Sequence, residues 1–180
     1  MKKINIAVVG LGQIGNYLLH ELNSKKKDIE LKTGKKINVV AISAKNINKK
    51  RRYKINKKLF YKNPLDIFKF KKIDILFESI GLSGGISKKV VEKAIRNKVH
   101  VITPNKALIA KHGDYLSKLA EKHKVNLEFE ASVAGGIPIL RTIKEGLATN
   151  KIFKVYGILN GTCNYILSQM EKSNNQFKDV

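Results

Sequence analysis

The residues best suited to chemistry begin with three glycines. Gly10-Leu11-Gly12-Gln13-Ile14-Gly15 spells G-x-G-x-x-G directly after an apolar run at 4–9. In such a turn the first glycine makes the sharp bend from strand to helix, and the second lets backbone approach a pyrophosphate. The third allows the helix to pack closely on the strand. Phosphates then rest on the free N–H groups and favourable dipole of a helix N-terminus. Alone the pattern is weak. Its context supplies the specificity, since a β-branched run precedes it and a helical stripe follows. Gly10, Gly12, Gln13, Ile14 and Gly15 are therefore the expected contacts of a nicotinamide dinucleotide.

Two further segments carry charge where such a ligand would need it. At the end of the second expected strand, an NAD site usually offers Asp or Glu to the ribose hydroxyls. Here the chain reads Ile42-Ser43-Ala44-Lys45, with no acid. Lys45, with Lys49, Lys50, Arg51 or Arg52 as further candidates, would instead neutralise a 2′-phosphate, which favours NADP and leaves NAD open. The competing reading assigns these cations to the general basic background. The other segment is Val101-Ile102-Thr103-Pro104-Asn105-Lys106, at the carboxyl end of an expected strand, where open α/β sheets bind ligands. Reducing a carbonyl requires hydride at carbon and a proton, or positive charge, at oxygen. Lys106 could supply the latter, although most lysines in so basic a chain are solvated surface residues.

The elements that must position these groups alternate along the chain. Apolar runs at 4–9, 37–42, 73–77, 99–103, 127–133 and 152–159 read as strands. Between them, helical stripes run over 13–25, 87–97 and 107–124, and another helix closes the series at 162–172. The expected inward faces are Ile14, Tyr17, Leu18 and Leu22, then Val90, Val91, Ala94 and Ile95, then Leu108, Tyr115, Leu116 and Leu119. A basic loop surrounds Gly34, and the lysine-rich stretch 45–58 reads as a surface connection. Pro138 suits the first turn of a helix, where its missing N–H costs nothing. Residues 176–180 look like the opening of one more helix. Strand and helix in alternation specify a doubly wound parallel sheet, an α/β fold.

Composition narrows the classes. A chain of 180 residues with 43% hydrophobic content can bury a proper core. No apolar run reaches the roughly 18–20 residues of a membrane helix. The N-terminal run ends in a glycine turn rather than a cleavage site, so it reads as a strand and not a signal peptide. A single cysteine, Cys163, rules out an internal disulfide and suits a reducing cytoplasm; it reads as a small buried residue. The formal net charge of +22 raises the question of nucleic acid. Yet the cations are scattered, with one dense run at Lys49-Lys50-Arg51-Arg52, and no stacking aromatics or zinc spacing accompany them. Nucleic acid is not the expected partner.

Three longer motifs then point the same way. Thr103-Pro104-Asn105-Lys106-Ala107-Leu108 resembles the T-A-N-K-A-L motif of homoserine dehydrogenases. Phe129-Glu130-Ala131-Ser132-Val133-Ala134-Gly135-Gly136-Ile137-Pro138 resembles that family's F-E-A-x-V-A-G-G-I-P. The segment Gly157-Ile158-Leu159-Asn160-Gly161-Thr162-Cys163-Asn164-Tyr165-Ile166-Leu167 is similar to its G-I-L-N-G-T-x-N-Y-I-L. With the glycine turn they stand in the family's order.

The resemblance implies a Rossmann-like NAD(P)-binding domain over 1–150. Residues 151–180 would begin a second, α+β catalytic and dimerisation domain. It implies NADP-dependent interconversion of aspartate 4-semialdehyde and homoserine, in threonine and methionine synthesis, by a cytoplasmic enzyme that is a homodimer in its full-length form. Lys106 is the implied catalytic residue, near nicotinamide and substrate. Thr103, Asn105, Gly161 and Thr162 join the implied cofactor contacts, and Asn160 leads with Gly161 and Thr162 into the substrate site. Glu130, Val133, Gly135 and Ile137 match positions that hold a structural monovalent cation, sodium, largely through backbone carbonyls. Oxygen-only ligands suit so hard an ion. Pro104 departs from the family's small residue and stiffens the turn before Asn105. The family's acidic substrate ligand and second catalytic lysine lie beyond residue 180, so the chain by itself is expected to bind cofactor without turnover. The rival expectation is a free-standing NADPH-binding module without catalysis.

Overall fold

The computed structural model describes residues 2–70, 72–157, 160–173 and 176–177. The chain forms two compact units, Met1–Val133 and Ala134–Val180.

In the first unit β1 (Lys2–Val9) runs into α1 (Gln13–Ser24), and α2 (Lys26–Thr33) leads to β2 (Lys35–Ser43). A short edge strand β3 (Phe60–Tyr61) and one helical turn α3 (Ile67–Phe70) precede β4 (Ile75–Glu78). Then follow α4 (Ile86–Arg96), β5 (His100–Ile102), α5 (Lys106–His123) and β6 (Leu127–Glu128). The six strands are all parallel, in the order β3-β2-β1-β4-β5-β6. This is the doubly wound order, and its direction reverses between β1 and β4, where such sheets hold their ligands.

Period-two alternation on β1 divides the core. Ala7 and Val9 join a cluster with Leu76 of β4, Val90, Val91, Ala94 and Ile95 of α4, and Leu108 and Leu116 of α5. Ile6 and Val8 point the other way, into a cluster with Ile42 and Phe77 that α1 covers through Leu18, Leu19 and Leu22. Successive strand residues face opposite sides, so one strand anchors both layers.

Several expectations need correction. Residues 26–33 are helical where a loop was expected. The helix has no buried residue, and it ends on Gly34 in the left-handed conformation (φ +64°). Ile14 and Tyr17 are exposed rather than inward, and Gly15 and Asn16 are the buried residues of α1. Tyr115 is likewise exposed, with the Lys88 ammonium 5.0 Å from its ring centroid. The run 127–133 is a strand only at Leu127–Glu128 and then turns through a 3-10 turn, Glu130–Ser132.

In the second unit, α6 (Ile139–Arg141) continues into a wider turn, Thr142–Gly146, and α7 spans Gly161–Ser173. Residues 152–157 form no strand, and 158–159 lie outside the described residues, as do 178–180 of the expected final helix. Cys163 is exposed, not buried, because it lies in the first turn of α7, where none of the described residues is buried. Among the described residues, no helix is long and apolar enough to cross a membrane.

Candidate cofactor site

The carboxyl edge of the sheet gathers the glycine turn after β1, the basic loop after β2 and the turns after β4 and β5. At the first of these, the three glycines have different duties. Gly10 has φ +91°, and a Cβ there would lie 2.4 Å from the Ser79 carbonyl group. A Cβ on Gly15 would lie 2.0 Å from the Gly10 oxygen and 2.8 Å from Ser79 Oγ. These two positions let backbones meet. Ser79 fixes the contact, its N–H donating to Val9 O (2.7 Å) and its hydroxyl to Gly10 O (2.7 Å).

Gly12 differs. Nothing lies within 4 Å of where its Cβ would be. It caps α1 with extended backbone and no side-chain cap, and the Asn16 N–H is bonded to its carbonyl (3.0 Å). The N–H groups of Gln13, Ile14 and Gly15 precede that bond and have no partner within the helix. A cradle with open space before it and donors at its base fits a pyrophosphate.

The loop after β2 closes one side of this cradle. Asn16, 3% exposed, clasps the backbone of Tyr53: its Nδ2 donates to Tyr53 O (2.9 Å) and its Oδ1 accepts from Tyr53 N–H (2.9 Å). The Tyr53 ring stacks on His20, with centroids 4.0 Å apart. Between loop and turn lies a cleft of about 760 Å³, bordered by Gly12, Gln13, Ile14, Lys49, Lys50 and Arg52 among others. Lys45 is exposed just beyond β2 and is not among the described residues bordering that cleft.

The adjoining part of the edge is organised by a carboxyl group. Glu78 ends β4 and is fully buried. It accepts from the Thr103 hydroxyl (2.7 Å) and the Ile80 N–H (2.8 Å), with Asn105 Nδ2 at 3.4 and 3.5 Å from its two oxygens. Asn105 also donates to Leu82 O (2.9 Å), and its Oδ1 accepts from Leu108 N–H (3.2 Å), capping α5. Thr103 and Asn105, both expected as cofactor contacts, are thus buried and occupied in holding this corner together. Lys106, the first residue of α5, is exposed beside them.

Expected residues of the second unit are placed as follows. Gly161 and Thr162 open α7 and are exposed, and Asn160 Oδ1 accepts from Cys163 N–H (3.1 Å) at that helix start. Gly135 and Ile137 are exposed in the turn before α6. In the first unit, Glu130 begins the 3-10 turn and its carbonyl accepts from Val133 N–H (3.1 Å). Among the described residues, no cluster of three or more His, Cys, Asp or Glu could hold a metal.

Resolved titration shifts lie away from this edge, on helix surfaces. A hydrogen bond from Lys25 lowers the Glu21 carboxyl below its ordinary value and raises Lys25, and Asp114 raises Lys118 in the same way. Sequence reasoning missed Asn16, Glu78 and Ser79. Apart from the Ile80 N–H beside Glu78, their side-chain partners stand 25 to 70 residues away, so no local pattern announces them.

Comparison with known proteins follows the same division. The family model for the NAD-binding domain of homoserine dehydrogenase matches residues 10–130, and the model for homoserine dehydrogenase itself matches 138–180. The homoserine dehydrogenase of Neisseria gonorrhoeae is 39% identical over 180 residues, all of this chain and 41% of that protein. The crystal structure of a homoserine dehydrogenase from Thiobacillus denitrificans superposes with TM-score 0.84 and 37% identity, over 99% of this chain and 41% of that one. A hyperthermophilic archaeal homoserine dehydrogenase in complex with NADPH shares the fold at TM-score 0.76 and 22% identity, over 98% of this chain and 59% of that one. The chain therefore spans about two fifths of the length of the curated relatives it matches.

Proposed function

The chain belongs to the homoserine dehydrogenase family of NAD(P)-dependent oxidoreductases, and from that premise we propose that it holds NADP(H) for the interconversion of L-aspartate 4-semialdehyde and L-homoserine. The observation that carries the proposal is the open face of Gly12, flanked by unpartnered helix N–H groups and a basic cleft. The archaeal relative's complex with NADPH supports the same cofactor.

In this reading Gly10 and Gly15 shape the turn, and Gly12, Gln13 and Ile14 present N–H groups to the pyrophosphate. Lys45 and the basic loop, with no acid at the end of β2, favour the 2′-phosphorylated form. A nicotinamide held there would supply or accept the hydride. Lys106 holds positive charge where oxygen develops negative charge, or passes a proton to it. Thr103 and Asn105 position it, and the family resemblance adds Gly161 and Thr162 to the cofactor contacts. Glu130, Val133, Gly135 and Ile137 offer one carboxylate and carbonyl oxygens, a donor set that suits sodium. The full-length family form would act in threonine and methionine synthesis, in the cytoplasm, as a homodimer, whereas these 180 residues by themselves bind cofactor without turnover.

Fluorescence titration with NADPH and NADH tests the cofactor assignment. Saturable binding, tighter for NADPH, is expected. A folded chain that binds neither would refute it.

A further inference from the structure

The cations after β2 are not equivalent. Lys49, Lys50 and Arg52 are exposed, and the Arg52 guanidinium carbon stands 5.4 Å from the Tyr53 ring centroid. Arg51 is half-buried and turned inward. Its Nε donates to Leu11 O (3.2 Å). One terminal nitrogen donates to Ile47 O and Lys49 O (3.0 Å each), and the other to Asn46 O (2.6 Å). A guanidinium has five N–H donors, and carbonyl oxygens of the chain take four of these.

Leu11 lies between the first two glycines of the turn. Arg51 therefore ties the loop to the cradle itself, from one side, while Asn16 clasps Tyr53 from the other. Lys49 and Lys50 are the residues just before the tie, and both border the cleft beside Gly12. A planar fork that meets several carbonyls at once cannot be replaced by a lysine ammonium.

We propose that Arg51 is a positioning residue that folds the 46–53 loop onto the Leu11 carbonyl and so fixes Lys49 and Lys50 at the cleft, setting the preference for a ribose 2′-phosphate over a 2′-hydroxyl. The inference rests on the reading of this cleft as the dinucleotide site. Arg51 also borders the cleft, but with four of its five donors taken by carbonyls it has at most one N–H left for a phosphate, and the discrimination falls to its neighbours.

The test measures NADPH and NADH affinities of the full chain by fluorescence, with melting curves to verify folding. Wild type should prefer NADPH. Replacing Lys49 and Lys50 together by alanine should weaken NADPH at least tenfold and leave NADH within twofold. Arg51→Lys keeps the charge and loses the fork, and it should lower the NADPH-to-NADH preference at least fivefold. Arg51→Gln loses the charge and keeps an amide N–H about where Nε stands, able to meet the Leu11 carbonyl, and its preference should fall no further than that of Arg51→Lys. If Arg51→Lys keeps the wild-type preference while Arg51→Gln loses it, Arg51 acts by charge as a ligand and the inference fails. An unchanged preference in the double lysine variant also overturns it. Wild type that binds neither nucleotide would instead bring down the cofactor reading beneath it.

Discussion

Two neighbouring parts of the sheet's carboxyl edge solve one problem by opposite means. After β1, space is made by leaving side chains out: Gly10 and Gly15 let backbone and Ser79 close to distances that any Cβ would block. After β4 and β5, order is made by burying a polar side chain. The buried Glu78 gathers a hydroxyl, a backbone N–H and an amide around itself. An omitted side chain leaves a place for ligand atoms, whereas a buried carboxyl group fixes the protein's own turns and leaves Lys106 on the rim. In the proposed reading, the glycine turn receives phosphates and the Glu78 corner aims the Lys106 ammonium.

Substitutions can break each half of that contrast. The largest loss is expected from Gly10→Ala, which forces both a left-handed residue and a backbone collision. A cost of about 4 kcal/mol follows from strain and overpacking together, read as a lowered urea midpoint; wild-type stability would show that the close packing is not real. Glu78→Leu should come next, at about 2–3 kcal/mol, because three buried donors lose their acceptor. Glu78→Gln should cost less, since its amide oxygen still accepts. Equal losses for the two would mean that packing, not hydrogen bonding, organises this part.

Asn16→Ala removes both bonds to Tyr53 and should cost about 1–2 kcal/mol, with faster amide exchange confined to residues around Tyr53. Protection unchanged there would separate the loop from α1. Gly12→Val should cost about 1 kcal/mol or less, as a changed helix cap, while weakening NADPH at least tenfold. That pairing of small stability loss with large binding loss would distinguish Gly12, the proposed ligand glycine, from the two packing glycines.

The smallest effect belongs to a pair remote from both parts. Glu21, its carboxyl lowered from 4.5 by Lys25, contributes stability that is complete above that value and lost as pH falls through the folded-state value. Glu21→Gln should flatten only the acid limb of the stability curve. A change confined to neutral pH would contradict the assigned cause.

The contrast also explains what could be read from the sequence. The glycine turn was legible because its spacing is local and its neighbours are a β-branched run and a helical stripe. The four residues Val90, Val91, Ala94 and Ile95 were legible for the same reason, and all are buried. Glu78 was not, because an acid closing the run Ile75-Leu76-Phe77 looks like a strand boundary meeting solvent. Its partners are Thr103 and Asn105, brought to it only by parallel pairing of β4 with β5. Asn16 was hidden likewise, and its burial displaces Ile14 and Tyr17 toward the cleft. Helix α2 carries no apolar stripe to announce it, and β3 is a two-residue edge strand with too few residues to form a pattern.

Mapping NADPH by backbone amide shifts on the isotopically labelled chain tests the central claim most directly. The account predicts that the largest changes fall on the N–H groups of residues 12–15, with a second set in the 49–53 loop and a third near Lys106. Saturable binding whose shifts avoid the glycine turn would contradict it.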